Sequence, residues 1–275
     1  MRAARSAAYQ VGNIEAEMVR LLLHHLQRSA NRRQSAMLLG GMVLLLATCG
    51  WIVDGEEGAV AALSLGAALS QSSPQMLSPE VMHRQFGVRP LRPQEWPGLH
   101  GLLGAICQRA ALPCRPALYC LPDPHGMNAY ALGAPEHSAI ILTEGLLRRM
   151  SMDEIAGILA HEVGHIRNND SWALGLAAAL QRTTAAIARL APGGLLAAAP
   201  MIGHMLYTAL SRLREFDADS VALELIEAPA GLVMALCKLE QHHNASQPSG
   251  LPLRFLHSHP ATWERVASLQ WLAGM

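Results

Sequence analysis

The chain has 275 residues, with 21 basic and 21 acidic side chains and therefore no net charge. Zero net charge, without any block of Lys or Arg interleaved with aromatic residues, argues against a nucleic-acid-binding protein. Charged residues form 15% of the chain and hydrophobic residues 51%. Soluble domains average about 25% charged residues, so this composition favours a membrane-associated protein.

The N-terminal part of the chain predicts a basic helix followed by a membrane span. Residues 1–34 combine six arginines with an apolar stripe at helical spacing. This pattern is typical of an amphipathic helix that lies on a membrane surface, on a partner or on the rest of its own chain. Residues 36–53 contain no charged side chain, and the first charge after them is Asp54. An uncharged run of this length reaches the threshold for a transmembrane helix.

A second, shorter apolar run follows at residues 58–70, after the acidic turn DGEE at 54–57. Arginines flank the outer ends of the two runs, whereas the acidic residues lie between them. The positive-inside rule then puts both outer flanks in the cytoplasm and the turn outside. We therefore expect an amphipathic segment at 1–34, a transmembrane hairpin at 35–77 and a cytoplasmic domain at 78–275, in the inner (plasma) membrane of the cell.

The part after about Ser78 has the mixed pattern of a folded domain. An amphipathic helix is predicted at residues 96–112, and three short strands, separated by Pro, Gly and Asp turns, at 115–121, 127–132 and 138–145. These elements predict an α+β domain that is mainly α, with a small antiparallel sheet. The Ala- and Leu-rich stretches at 172–190 and 195–210 are either membrane contacts or buried helices, and we favour membrane contact.

One helix carries the residues that suggest chemistry. Ser151 and Glu154 form a capping box, which predicts the start of a helix that continues through AHEVGHIRNND, residues 160–170. His161 and His165 are one helical turn apart, so both imidazoles can bind one metal ion. Glu162 lies beside them, where a carboxylate can take a proton from an attacking water. The alternative is a polar patch on a helix, but apolar flanking residues indicate that this helix is largely buried.

A hydrolytic zinc site usually has three protein ligands, so a third is expected further along the chain. The five cysteines form no CxxC pair and are better explained as reduced, mostly buried thiols. The stretch SRLREFDADS at 211–220 offers Glu215 as the third ligand. Asp219, one turn later, would accept the second N–H of a ligating histidine. Without the histidines upstream, the same residues would be a solvated acidic face.

These motifs together resemble the M48 family of zinc metallopeptidases, and in particular its HtpX-like membrane proteases. The resemblance rests on HEVGHIRNND, REFDAD, NAYALG, IILTEGLL and HPATWERVASL, which occur in the family's order between about residues 78 and 270. It implies a zincin-type catalytic domain with one zinc ion per chain. The metal ligands would be His161, His165 and Glu215, with Glu162 as general base and Asp219 supporting a ligand.

The resemblance also implies how substrate is held and which substrates are cleaved. Asn128, Ala129 and Tyr130 resemble the edge strand that binds an extended peptide through main-chain hydrogen bonds. His259 would stabilise the oxyanion of the tetrahedral intermediate, or else form a structural turn. The family implies unfolded or damaged membrane proteins as substrates. A protease that matures one membrane protein or peptide, and a catalytically silent membrane scaffold, remain as alternatives.

Overall fold

The computed structural model describes residues 2–72, 81, 83–84, 87–190, 193–245 and 260–273. The helices span Arg2–Ser72 (α1), Pro97–Arg109 (α2), Glu144–Arg149 (α3), Met152–Arg167 (α4), Asp170–Ala188 (α5), Gly194–Leu225 (α6), Pro229–Ala245 (α7) and Thr262–Ala273 (α8). The strands span Arg89–Pro90 (β1), Ala117–Leu121 (β2), Ala129–Ala134 (β3) and His137–Thr143 (β4). The mainly helical α+β class expected from the sequence is confirmed.

Helix α1 is a hairpin of two helical arms. The backbone leaves the helical region at Asp54 (φ −151°, ψ 38°) and Gly55 (φ 58°, ψ −141°), and glycine is the residue that best tolerates the second of these conformations. The arms pack so closely beside this turn that a Cβ on Gly50 or Gly58 would collide with the carbonyl oxygen of the other. Within the described residues, Leu26–Gln71 is the stretch long and apolar enough to cross a membrane.

The Ala- and Leu-rich stretches form α5 and the first half of α6, and both pack on the hairpin. Their apolar side chains share one core with α1, made of Met42, Leu46, Cys49, Ala62, Ala177, Leu180, Ile187, Ala188, Leu196, Ala199 and Leu210. Small residues on all three helices allow this close packing. The hairpin therefore packs against α5 and α6 and shares a hydrophobic core with them.

The sheet has the order β1-β2-β4-β3 and is mixed, not antiparallel as predicted. β3 pairs antiparallel with β4, but β2 pairs parallel with β4. The reason is that β4 carries the continuous apolar run Ile140–Leu142, which is fully buried and so takes the central position with both faces covered. β3 lies outside it, at the edge of the sheet.

Helix α4 lies between α6 and α7, in a second hydrophobic core that includes Leu103, Ile140, Leu159, Val163 and Val221. Its N-terminus has the predicted capping box, because Ser151 accepts from the Glu154 backbone and Glu154 accepts from the Ser151 backbone. A Cβ on Gly157 would lie 2.6 Å from Cα of Leu232 on α7. A Cβ on Gly164 would lie 3.0 Å from the carbonyl oxygen of Ala218 on α6. The absence of a side chain at Gly164 thus allows α6 to approach the part of α4 that carries the two histidines.

Candidate metal centre

Helices α4 and α6 bring His161, His165 and Glu215 together. The Nε2 atoms of the two histidines lie 3.0 Å apart. Nε2 of His161 is 3.4 Å from Oε2 of Glu215, and Nε2 of His165 is 3.5 Å from Oε1. Among the described residues, this is the group whose ligand atoms could hold a metal ion, all within 4.8 Å of one another.

The other nitrogen of each histidine faces a carboxylate. Nδ1 of His161 is 3.0 Å from Oδ1 of Asp219 on α6, as the sequence predicts, and Nδ1 of His165 is 2.7 Å from Oδ2 of Asp170. At these distances each Nδ1 carries the hydrogen and donates it to the carboxylate. A neutral ring then has its Nε2 lone pair directed at the centre of the group.

Asp170 belongs to the end of the HEVGHIRNND motif, but the sequence did not predict its contact with His165. Asn169 has a left-handed backbone (φ 54°), which asparagine adopts more readily than most residues, and this turn separates α4 from α5. Asp170 is therefore the first residue of α5 and its side chain reaches back to His165. The available signal was an acidic residue directly after the helix that carries both histidines.

The donor set fits a divalent metal ion such as zinc. Two atoms that bind one zinc ion at 2.0–2.1 Å lie about 3.3 Å apart. The two Nε2 atoms are 3.0 Å apart, and each has a different oxygen of Glu215 at 3.4 or 3.5 Å, which is close to that spacing. Two ring nitrogens at 3.0 Å require either a hydrogen on one of them or a cation between them. The residues therefore suit a divalent ion bound by two imidazoles and one carboxylate.

The charges around the histidines also favour a cation at this point. Burial and the charge of Arg265 act to lower the pKa of His161, but hydrogen bonds to Asp219 and Glu215 outweigh them and raise it to about 10. Burial and His161 act to lower the pKa of His165, and the hydrogen bond to Asp170 contributes to a net increase. The buried acids thus hold either protons or a metal ion on these rings.

Arg265, on α8, neutralises two of these acids. Its Nε and Nη2 donate to the carboxylate oxygens of Asp219 at 2.8 and 2.6 Å, and its Nη1 lies 3.2 Å from Oε2 of Glu215. Burial alone would raise the pKa of Asp219, but the guanidinium lowers it to about 2. Asp219 therefore stays ionised and remains an acceptor for His161.

The edge strand lies against α4 near Glu162, which is buried. Burial raises the pKa of Tyr130 to about 12, and the nearby charge of Glu162 contributes. The side-chain amide of Asn128 donates to the hydroxyl of Tyr130 at 3.0 Å. In the described part of the chain, β4 is the strand that pairs with β3. Just before β3, the N–H and carbonyl of Asn128 bond to Thr143, and the Asn128 side chain accepts from the N–H of Ala129. His259 lies outside the described residues.

Comparisons with known proteins agree with this arrangement. The profile of peptidase family M48 matches residues 93–273. The Protease HtpX homolog of Gemmatimonas aurantiaca is 31% identical over 274 aligned residues, covering 86% of this chain and 97% of that protein. The homolog of Acaryochloris marina is 32% identical, covering 87% and 94%.

The fold is also similar to a solved structure of the same family. The crystal structure of S. mikatae Ste24p superposes with a TM-score of 0.52 and 20% sequence identity, covering 90% of this chain. The chain spans 66% of the length of Ste24p. The family profile spans the helices that carry both histidines, Glu215 and Arg265, and membership of this family implies a metal. This chain belongs to peptidase family M48.

Proposed function

We propose that the protein is a zinc metalloendopeptidase anchored in a membrane. The observation that carries this proposal is the convergence of His161, His165 and Glu215, whose ligand atoms all lie within 4.8 Å of one another. Asp219 and Asp170 hold the two rings in that orientation. One zinc ion per chain would be held by these three residues.

The bound ion would polarise the scissile carbonyl and acidify the attacking water. Glu162 takes a proton from that water and delivers it to the leaving amine. Arg265 keeps Asp219 ionised, so His161 keeps its tautomer. His259 remains a candidate for stabilising the oxyanion.

The proposed substrate class rests on the position of β3 as the outermost strand of the sheet. An extended polypeptide can add to the main chain of Asn128, Ala129 and Tyr130 as a further strand. Main-chain recognition requires an unfolded segment but little sequence specificity. We therefore propose unfolded or damaged proteins, including membrane proteins, as substrates.

The membrane anchor is the hairpin. Large apolar side chains of α1 and α6 are exposed, namely Met37, Leu44, Trp51, Val60, Met201 and Met205. Exposed apolar surfaces mark contact with a membrane or another protein, and the charge-free run at 36–53 favours lipid here. We propose the basic segment at 1–34, the multi-pass anchor at 35–77 in the inner (plasma) membrane, and a cytoplasmic catalytic domain at 78–275. The acidic turn would lie on the opposite side of the membrane.

The test is the Glu162→Gln variant of the full-length protein, purified in detergent. Wild type is expected to contain about one zinc per chain by elemental analysis and to cleave casein. The variant keeps all three ligands and is expected to keep the metal, while cleavage falls at least about 100-fold because the general base is lost.

Asp153→Asn is the matched control, since Asp153 is an exposed acid on the same helix, and it is expected to behave as wild type. Cleavage that survives in Glu162→Gln would contradict the mechanism. Wild type that binds no metal would contradict the proposed function as a whole.

A further inference from the structure

The part of α1 that precedes the apolar span is packed against the catalytic helices. Asn31 is 8% exposed, whereas its neighbours Arg32 and Arg33 are exposed. A buried asparagine costs free energy unless its amide is hydrogen-bonded. Nothing in the proposed mechanism uses this residue.

Asn31 is the first member of a buried polar chain that ends at a metal ligand. Its Nδ2 donates to Oδ1 of Asp217 at 3.2 Å, and Oδ2 of Asp217 is 3.4 Å from Nη1 of Arg214. Arg214 in turn donates to Oδ1 of Asp170. The other oxygen of Asp170 accepts from Nδ1 of His165 at 2.7 Å.

Every side chain between α1 and His165 is withdrawn from water. Asp217, Arg214 and Asp170 are 1%, 7% and 2% exposed. Water therefore cannot replace a missing partner, and each group keeps its orientation only if its neighbours keep theirs. Without the amide of Asn31, the Asp217 carboxylate is expected to turn towards Arg214, which then shifts relative to Asp170.

A second contact ties the same part of α1 to the same helices. Nη1 of Arg28 lies 3.3 Å from Glu224 near the end of α6, and Nη1 of Arg167 at the end of α4 lies 3.2 Å from the same carboxylate. One acid on α6 thus joins α1 to the helix that carries both histidines. Two contacts thus hold the start of the hairpin on the helices that carry the proposed metal ligands.

We propose that Asn31 is a positioning residue for the metal site, acting on His165 through Asp217, Arg214 and Asp170. The helix continues from Asn31 into the apolar arm as far as Asp54. The N-terminal arm is therefore a part of the catalytic unit as well as a membrane anchor. This inference rests on the proposed function, because it requires that His165 binds the metal.

The test compares Asn31→Leu with wild type in full-length protein in detergent. Leucine has the same number and branching of side-chain heavy atoms as asparagine but has no donor. Zinc affinity, measured by competition with a chelator, is expected to fall about threefold to tenfold. This decrease is smaller than the one caused by removing a residue that bonds directly to a metal ligand. The absorption spectrum of the cobalt-substituted protein is expected to change, and kcat on casein to fall with KM unchanged.

Arg32→Ala is the matched control, an exposed position on the same helix, and is expected to match wild type in all of these measurements. Asn31→Ser is measured in parallel, because serine is smaller and cannot clash. Its hydroxyl is too short to reach Asp217, so the same loss of zinc affinity is expected. In an Asp217→Asn background, Asn31→Leu is expected to cause no further loss of zinc affinity, because the proposed effect of Asn31 passes through the Asp217 carboxylate.

Unchanged zinc affinity and cobalt spectrum in Asn31→Ser would overturn the inference, even if the unfolding temperature fell, because the contact would then only stabilise the fold. An additive loss in the Asp217→Asn background would overturn it as well. A wild type that binds no zinc would instead overturn the proposed function, so the two failures are distinguishable.

Discussion

At the scale of single residues, the metal centre depends on one buried guanidinium. Arg265 contacts Asp219 through two nitrogens and Glu215 through a third. All three side chains are almost completely withdrawn from water. Removing one partner of such a group leaves a buried charge without compensation, which costs more than the intact group contributes.

Arg265→Gln is therefore expected to lower the free energy of unfolding of the metal-free protein by about 3–5 kcal/mol. Arg212→Gln is a matched control, because Arg212 also joins α6 to α8, through Glu264, but with the Arg212 side chain 45% exposed. A solvated pair of this kind contributes about 1 kcal/mol or less. Thermal unfolding in chelator compares the two variants, and equal losses would contradict the argument.

At the scale of elements, α4 is held by its N-terminus and by two glycines. Gly157 and Gly164 allow α7 and α6 to approach its backbone. The carboxylate of Glu154 accepts from the backbone of Ser151 at 2.7 Å and from Nζ of Lys238 on α7 at 2.8 Å. One side chain thus caps the helix and ties it to its neighbour, which keeps the histidine-bearing turn in place.

This contact predicts a pH-dependent stability. Burial alone would raise the pKa of Glu154, but hydrogen bonds from Lys238 and Ser151 outweigh it and hold the pKa below 4.5. The contribution is thus fully present above the unfolded-state value of 4.5 and is lost as pH falls through the lower folded-state value. Glu154→Gln is expected to cost about 1–2 kcal/mol near neutral pH.

The stability difference between wild type and Glu154→Gln should shrink as the pH is lowered below 4.5, as measured by denaturant unfolding in detergent over a pH series. Glu144→Gln is the control, since Glu144 pairs with an exposed arginine one turn away in α3, and its effect should be less than about 0.5 kcal/mol. A difference for Glu154→Gln that does not depend on pH would argue against an ionised cap.

At the scale of the whole molecule, the hairpin and the helices of the metal centre form one packed structure. The hairpin shares a core with α5 and α6, and α6 continues beyond that core to carry Glu215 and Asp219. The metal centre is therefore held at a defined distance from the apolar surface.

The proposed orientation can be tested with the chain's own thiols. Cys114 and Cys237 are exposed, whereas burial raises the pKa of Cys107 to about 11 and also raises that of Cys120, which keeps these two thiols protonated and unreactive. A membrane-impermeant maleimide is expected to label the exposed pair in inverted vesicles but not in intact cells. Labelling from the outside would contradict a cytoplasmic catalytic domain.

The turn of the hairpin gives the complementary measurement. Glu56 is exposed beside Asp54 and Gly55. Glu56→Cys, in a background with Cys114→Ala and Cys237→Ala, is expected to be labelled in intact cells, because the turn would lie outside. The same background without Glu56→Cys is the control and should not be labelled.

The sequence by itself determined the local features of this protein. The capping box at Ser151, the one-turn spacing of His161 and His165, and the same spacing of Glu215 and Asp219 follow from helical periodicity, so their shared faces were predictable. The apolar runs and the acidic turn likewise predicted the hairpin. These patterns depend on residues close in sequence, whose geometry the helix itself imposes.

Only the tertiary structure decided the contacts between distant residues. The partnership of Arg265 with Asp219, the chain from Asn31 to His165, and the parallel pairing of β2 with β4 join segments whose local patterns do not specify each other. Asp170 lies near His165 in sequence, but its role depends on the left-handed turn at Asn169. Packing selects among such pairings, because only one arrangement buries the apolar faces while every buried charge keeps a partner.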